Sequence, residues 1–151
     1  MAFAFSVKRS QTLSMWWMYA LLSAFFAALT AIFAKIGIKN VDTDLATAVR
    51  TVVILILAWV IAFFRGGTSA IGSLTKYNLI FLFLSGIATG LSWIFYFKAL
   101  QIGKVSQVAP VDKLSVALTI VLSVIFLGEA LTLKTAVGAL LIIAGTVVMI
   151  L

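Results

Sequence analysis

Charged side chains within long apolar stretches are the residues of this chain that could do chemistry. Asp112 and Lys113 lie together in one stretch, and Arg50, Lys35 and Lys98 lie singly in three others. In an apolar environment a carboxylate can take up and release a proton, and cations can bind anionic groups. The 151 residues include no histidine or cysteine, which excludes Cys/His zinc sites, disulfides and His- or Cys-based catalysis.

The stretches that carry these residues are long enough to span a membrane. The chain is 64% hydrophobic and 10% charged, against about 25% charged residues in soluble domains. Five mostly apolar stretches of about 20 residues fill 16–37, 45–64, 77–101, 105–127 and 133–151. They lack the period-two alternation of barrel strands. The sequence predicts an all-α, polytopic integral membrane protein with five transmembrane helices.

Residues 1–14 form a short N-terminal tail, and residues 15–151 form one transmembrane domain. The tail carries Lys8 and Arg9, as the start of a signal peptide does. The apolar run after it is too long for a signal peptide and has no small-residue cleavage site before its end. We therefore expect the first helix to be retained, and Met15 is an alternative start that would make the tail dispensable.

Positive charges are balanced between the membrane face of the N-terminus, face A, and the opposite face, face B. Face A receives Lys8, Arg9, Arg65, Lys76 and Lys134, and face B receives Lys35, Lys39, Arg50, Lys98 and Lys104. Since the positive-inside rule needs an excess on one side, two topologies fit. One is a fixed orientation set by weak cues, and the other is dual topology, with copies inserted both ways.

Four helices place charge in the same half of the bilayer, toward face B. At about 1.5 Å per residue, Arg50 lies about 8–9 Å inside the second span, and Asp112 and Lys113 lie about 10–12 Å inside the fourth. Lys35 and Lys98 lie near the face B ends of their spans. This coincidence predicts a site for substrate binding or coupling.

Each of these residues also has a structural interpretation. Lys35 and Lys98 have stems long enough to carry their charge to the headgroups. Arg50 could equally have a structural role, as the partner of Asp112 or of helix-end carbonyls. Asp112 is too short to reach the headgroups, so we expect it to be functional, with pairing to a nearby cation as the alternative.

Aromatic and helix-breaking residues flank the predicted site. We expect Trp93 and Tyr96, beside a stripe of serine and threonine on the third span, to form an aromatic wall. Pro110 deprives the Ser106 carbonyl of its helical partner or opens the first turns of the fourth span. Either result exposes backbone dipoles beside Asp112.

The last span carries Gly138 and Gly145 seven residues apart on one face, and no charge after Lys134. Small residues on one face let two helices approach closely. We expect this span to serve packing or dimerisation rather than to line a substrate site.

Four ordered segments carry a resemblance to a known family. They are 98–101 (KALQ), 105–111 (VSQVAPV), 127–131 (LGEAL) and 138–145 (GALLIIAG). With them the chain resembles, from about Met15 to Leu151, the EamA family of the drug/metabolite transporter superfamily, which usually has an arginine at the place of Arg50. Many members have ten helices in two inverted halves. The resemblance implies that this chain is one half.

The resemblance also implies secondary transport of a small molecule through a cavity lined mainly by the first four helices of each half. The last span looks like the dimerisation helix of small multidrug resistance transporters, which work as antiparallel dimers. Those proteins bind cations and protons on a glutamate in the first helix, where this chain has Lys35 and no acid. A zwitterionic or anionic metabolite therefore suits the site better than a cationic drug.

We predict a secondary active transporter of a small polar or amphipathic metabolite that works by alternating access as a dimer, antiparallel and of dual topology, with proton coupling at Asp112. The alternative is a non-transporting membrane subunit that pairs with a different half-transporter or stabilises a membrane complex. We do not expect an enzyme, because the chain offers one deep carboxylate and no nucleophile system. We expect a bacterial plasma membrane, multiple spans, and no cofactor, metal or nucleic acid.

Overall fold

A computed structural model describes residues 15–151. Within this part, five helical spans are long and apolar enough to cross a membrane, and no strand occurs. The spans are Trp16–Gly37 (α1), Thr43–Phe64 (α2), Lys76–Ile102 (α3), Val105–Leu127, which contains α4 (Val105–Asp112) and α5 (Leu114–Leu122), and Leu133–Ile150 (α6). The predicted all-α fold with five transmembrane helices is confirmed. The predicted tail, residues 1–14, lies outside the described residues.

Polar caps fix where three of the helices begin. The Asp42 carboxylate accepts hydrogen bonds from the backbone N–H groups of Asp44 and Leu45 at 3.0 and 2.9 Å, which caps α2. Thr75 caps α3 and Thr132 caps α6 through their hydroxyl oxygens. Such caps satisfy N–H groups that have no partner inside the helix. These three helices therefore begin where the apolar runs begin.

The fourth span is interrupted by one irregular turn between α4 and α5, close to Pro110, where the sequence predicted a disturbance of the helix. The break lies at Lys113, whose N–H donates to the Pro110 carbonyl at 3.0 Å and to the Ala109 carbonyl at 3.3 Å. Pro110 has no N–H to continue the helical ladder, and its ring crowds the preceding turn. The span ends in a π-helical turn, Ser123–Leu127, and at Gly128, whose φ of 66° closes the helix.

Helix α3 joins the two parts of the bundle. Its C-terminal half contacts α1, α2 and α4, whereas α6 packs on α4 and α5. Phe97 and Leu100 of α3 are buried with Ile38, which directly follows α1. The other half of α3, residues 76–89, is exposed along its whole length. The buried centre of the chain therefore lies toward the face B end of the spans.

Candidate functional site

The Arg50 side chain is half-buried against two aromatic rings of α3. Its guanidinium carbon lies 4.3 Å from the centroid of the Trp93 ring and 5.2 Å from that of Phe97. Trp93 and Phe97 are four residues apart, so they project from one face of α3 toward α2. A cation over an aromatic face is stabilised by the ring quadrupole. The guanidinium is thus held in place by rings rather than by a carboxylate.

Arg50 lies in the wall of a cavity of about 520 Å³ between α1 and α2. Thr30, Phe33 and Ala34 line it from α1, and Leu45, Val49 and Val53 line it from α2. Phe97 closes it on the α3 side, and Arg50 is the charged residue of its lining. Ligand sites commonly combine apolar walls with a few polar groups that fix orientation. This cavity has that composition.

The Lys35 ammonium lies on the C-terminal end of α3. It donates hydrogen bonds to the backbone carbonyl of Leu100 and, at 2.8 Å, to that of Gly103. The last carbonyls of a helix have no partner within the helix, and the helix dipole favours a cation there. The structure therefore places Lys35 on helix-end carbonyls and not in the lining of the Arg50 cavity.

The other two predicted cations lie in ion pairs. The Lys98 ammonium is 3.7 Å from the Asp44 carboxylate, and both side chains are more than half exposed. The Lys113 ammonium is 3.1 Å from the carboxylate of its neighbour Asp112. An exposed pair such as Lys98–Asp44, at the face B end of the spans, contributes about 0–1 kcal/mol. Of the four predicted cations, Arg50 alone has neither a carboxylate nor a carbonyl partner among the described residues.

Asp112 lies at the end of α4, directly before the break in the fourth span. Its side chain is 35% exposed and pairs with Lys113. It does not pair with Arg50, one of the partners that the sequence left open. No cluster of three or more metal-ligating residues occurs within residues 15–151.

Tyr96 and Trp93 occupy different surroundings. Tyr96 is partly buried against the core formed by Ile38, Phe97 and Leu100, whereas Trp93 carries the Arg50 guanidinium. The structure therefore brings the Trp93 ring into contact with the membrane-embedded cation, and Tyr96 lies near enough to interact electrostatically with both Arg50 and Asp112.

A contact that the sequence did not indicate joins α6 to the break. The Thr146 hydroxyl lies 3.2 Å from the Pro110 carbonyl oxygen and 2.8 Å from that of Ile142, and Thr146 is buried. A lone threonine in an apolar helix usually bonds to the carbonyl four residues before it. Nothing in the sequence distinguishes Thr146 from that ordinary case.

Gly138 and Gly145 lie on α6 without close neighbours. A methyl group added at either position would meet nothing within 4 Å in this chain. The space beside both glycines is therefore open to another helix or to lipid.

These features define the protein as a multi-pass helical membrane protein with a charged cavity in the bundle. The sequence matches the EamA-like transporter family over residues 14–151. The chain belongs to this family, which confirms the predicted resemblance and makes the protein a membrane transporter.

Its relatives carry the same general description. The chain is 45% identical over 134 residues to "Uncharacterized transporter in cobO 3'region" of Sinorhizobium sp., covering 89% of this chain and 95% of the relative. It is 31% identical over 126 residues to "Uncharacterized transporter YvbV" of Bacillus subtilis strain 168, covering 83% of this chain and 41% of that protein. No solved structure matches the chain.

Proposed function

We propose that the protein is a secondary active transporter of a small amphipathic metabolite with a negatively charged group, working by alternating access as an antiparallel dimer. The observation that carries this proposal is Arg50, a membrane-embedded cation in the wall of the 520 Å³ cavity without an ion-pair partner among the described residues.

The chemistry of the cavity supports a ligand with a charged end and an apolar body. Arg50 presents planar N–H donors that match a carboxylate or phosphate. The acids near face B are engaged elsewhere: Asp42 caps α2, Asp44 pairs with Lys98, and Asp112 pairs with Lys113. A charge buried without a counter-ion is costly. An anionic ligand group would remove that cost, and the apolar wall would cover the rest of the ligand.

The lengths of the relatives support assembly from two halves. The Sinorhizobium relative is aligned over 95% of its length, so it too has the size of one five-helix unit. YvbV is aligned over 41%, which leaves room for a second unit in the same chain. Inverted halves are the usual architecture for alternating access, with the substrate site at their interface. The balanced charges of faces A and B fit insertion in both directions.

Asp112 is our candidate for proton coupling. It is the carboxylate placed deepest in the spans, it is partly buried, and it borders the break at Lys113. A carboxylate within a span can serve as a proton site in a transporter. The Sinorhizobium and Bacillus relatives support a bacterial plasma membrane as the location.

Uptake into proteoliposomes tests the anion site. Candidate carboxylates and phosphates are first ranked by the thermal shift they cause in detergent, because ligands that bind the native state stabilise it. Arg50→Gln is then compared with Arg50→Lys and with Arg65→Gln, which removes an exposed arginine at the face A end of α2.

We expect Arg50→Gln to raise KM for the anion by about 10- to 100-fold, the equivalent of one charge-assisted hydrogen bond. Arg50→Lys retains the charge but loses the planar pair of guanidinium donors, so we expect its KM to lie between those of the wild type and Arg50→Gln. Arg65→Gln should have the wild-type KM. A wild-type KM in Arg50→Gln refutes the anion site.

Tag accessibility and purified mass test the dimer. A C-terminal tag should be reached from both membrane faces, and the purified protein should be a homodimer. A single accessible face in all copies refutes the antiparallel homodimer. Isolation only together with a different half-transporter supports the alternative, a subunit that does not transport by itself.

A further inference from the structure

The contact between Thr146 and Pro110 links the last span to the break in the fourth. Thr146 is 4% exposed. It lies about 20 Å along α6 from the face A end, the depth at which the break of the fourth span occurs. A hydroxyl at this depth has no water to bond with and must find protein acceptors. The acceptor that it finds outside its own helix is the carbonyl of Pro110.

The Pro110 carbonyl is part of the irregular turn. It accepts the N–H of Lys113 at a spacing of three residues, which is tighter than the four-residue spacing of an α-helix. Asp112 directly precedes Lys113, so the direction of the Asp112 side chain depends on the backbone geometry of this turn.

The Thr146 hydroxyl has one proton and two acceptors. The oxygen of Ile142 lies at 2.8 Å and that of Pro110 at 3.2 Å. The hydroxyl can therefore donate within α6 and release the turn, or donate across to Pro110 and hold it. Both choices satisfy the hydroxyl, so a change between them leaves no buried donor without a partner.

We propose that Thr146 is a positioning residue, whose hydrogen bond to Pro110 sets the angle between α4 and α5, the bend of the fourth span, and through it the orientation of Asp112. This inference rests on the proposed proton coupling for its functional part only. The bend itself is measurable without transport.

The test compares Thr146→Val, which removes the donor and nearly keeps the shape, with Thr146→Ser, which keeps the donor. Thr89→Val is the matched control, because the Thr89 hydroxyl bonds to a carbonyl of its own helix at an exposed position. The bend is read by electron paramagnetic resonance between spin labels at Ser106→Cys and Leu122→Cys, on exposed positions at either side of the break. The chain contains no cysteine of its own. Labelled protein is diluted with unlabelled protein, so that only labels within one chain are measured.

We expect Thr146→Val to shift and broaden the distance distribution, and to move the pH midpoint of uptake by about half a pH unit, the equivalent of a typical interhelical hydrogen bond in a membrane. Thr146→Ser and Thr89→Val keep both wild-type values. An unchanged distance distribution and pH profile in Thr146→Val overturns the inference.

If Thr146→Val does not fold, Thr146→Ala replaces it and the same comparison decides. If the wild-type protein carries no substrate, the proposed transport fails and the distance distribution alone decides for or against the contact. The two failures are therefore distinguishable.

Discussion

Replacing Lys35 by methionine tests whether this lysine holds the end of α3. The substitution removes two hydrogen bonds from an ammonium to backbone carbonyls, those of Leu100 and Gly103, and it keeps an unbranched apolar stem. Both carbonyls lie at the C-terminal end of α3, where the bundle has its most buried residues, Phe97 and Leu100. We expect the folded bundle to lose stability at this end.

The magnitude follows from the contacts. A hydrogen bond to a charged group contributes about 1.5–3 kcal/mol, and a cation at a helix C-terminus about 0.3–1 kcal/mol. Lys35 is partly exposed near face B, so water can replace part of each interaction. We therefore expect a loss of about 2 kcal/mol in all, which is about a 30-fold change in the folding equilibrium.

Unfolding by sodium dodecyl sulfate in mixed micelles, followed by circular dichroism, measures this loss. Lys39→Met is the matched control, because Lys39 is exposed just beyond α1 and its side chain forms no hydrogen bond or ion pair with any described residue. Equal stability of Lys35→Met and Lys39→Met refutes the reasoning. Wild-type stability with lost substrate affinity in Lys35→Met would instead assign the lysine to ligand binding.

Three further predictions have separate outcomes. Asp112→Asn should abolish uptake driven by a pH gradient and leave the protein folded; undiminished uptake removes this carboxylate from coupling. Gly138→Ile together with Gly145→Ile should convert the purified dimer to monomer, since both positions are open in the single chain; an unchanged mass places the dimer interface elsewhere. Gly103→Ala should lower the free energy of unfolding by about 1–3 kcal/mol. Its methyl group would lie 2.7 Å from Cγ2 of Val108 and 3.0 Å from the Ala99 carbonyl oxygen. Gly37→Ala, where a methyl group meets nothing within 4 Å, should not, and equal losses in the two variants would contradict the packing argument.

The spans could be predicted from the sequence because the membrane leaves few alternatives. A long apolar stretch must close its own backbone hydrogen bonds, and a helix does so without neighbours. The division of the fourth span was only partly foreseeable. The presence of Pro110 predicted a disturbance of the helix, but the irregular turn lies at Lys113. Its place depends on which donors reach the Pro110 carbonyl, and one of them comes from α6.

The partners of the charged residues could not be predicted, because they depend on which helices are neighbours. Lys35 reaches carbonyls at the end of α3, more than sixty residues away in the chain, because α1 packs against α3. Composition and depth indicated four cations in one half of the bilayer and gave no means to rank them. In the structure Arg50 differs from the other three cations, because its guanidinium lies over two aromatic rings of the neighbouring span α3.

The unequal lengths of α3 and α6 have a consequence for the lipid. With 27 and 18 residues, the two helices measure about 40 and 27 Å, against about 30 Å of hydrocarbon. A surplus of this size is accommodated by tilt or by local thickening of the bilayer. Where the surplus is met by thickening, the deformation falls on the face A side, because the unpacked half of α3, residues 76–89, lies there. Two parallel copies would deform one leaflet twice and favour a curved membrane, whereas two inverted copies deform each leaflet once and suit a flat one.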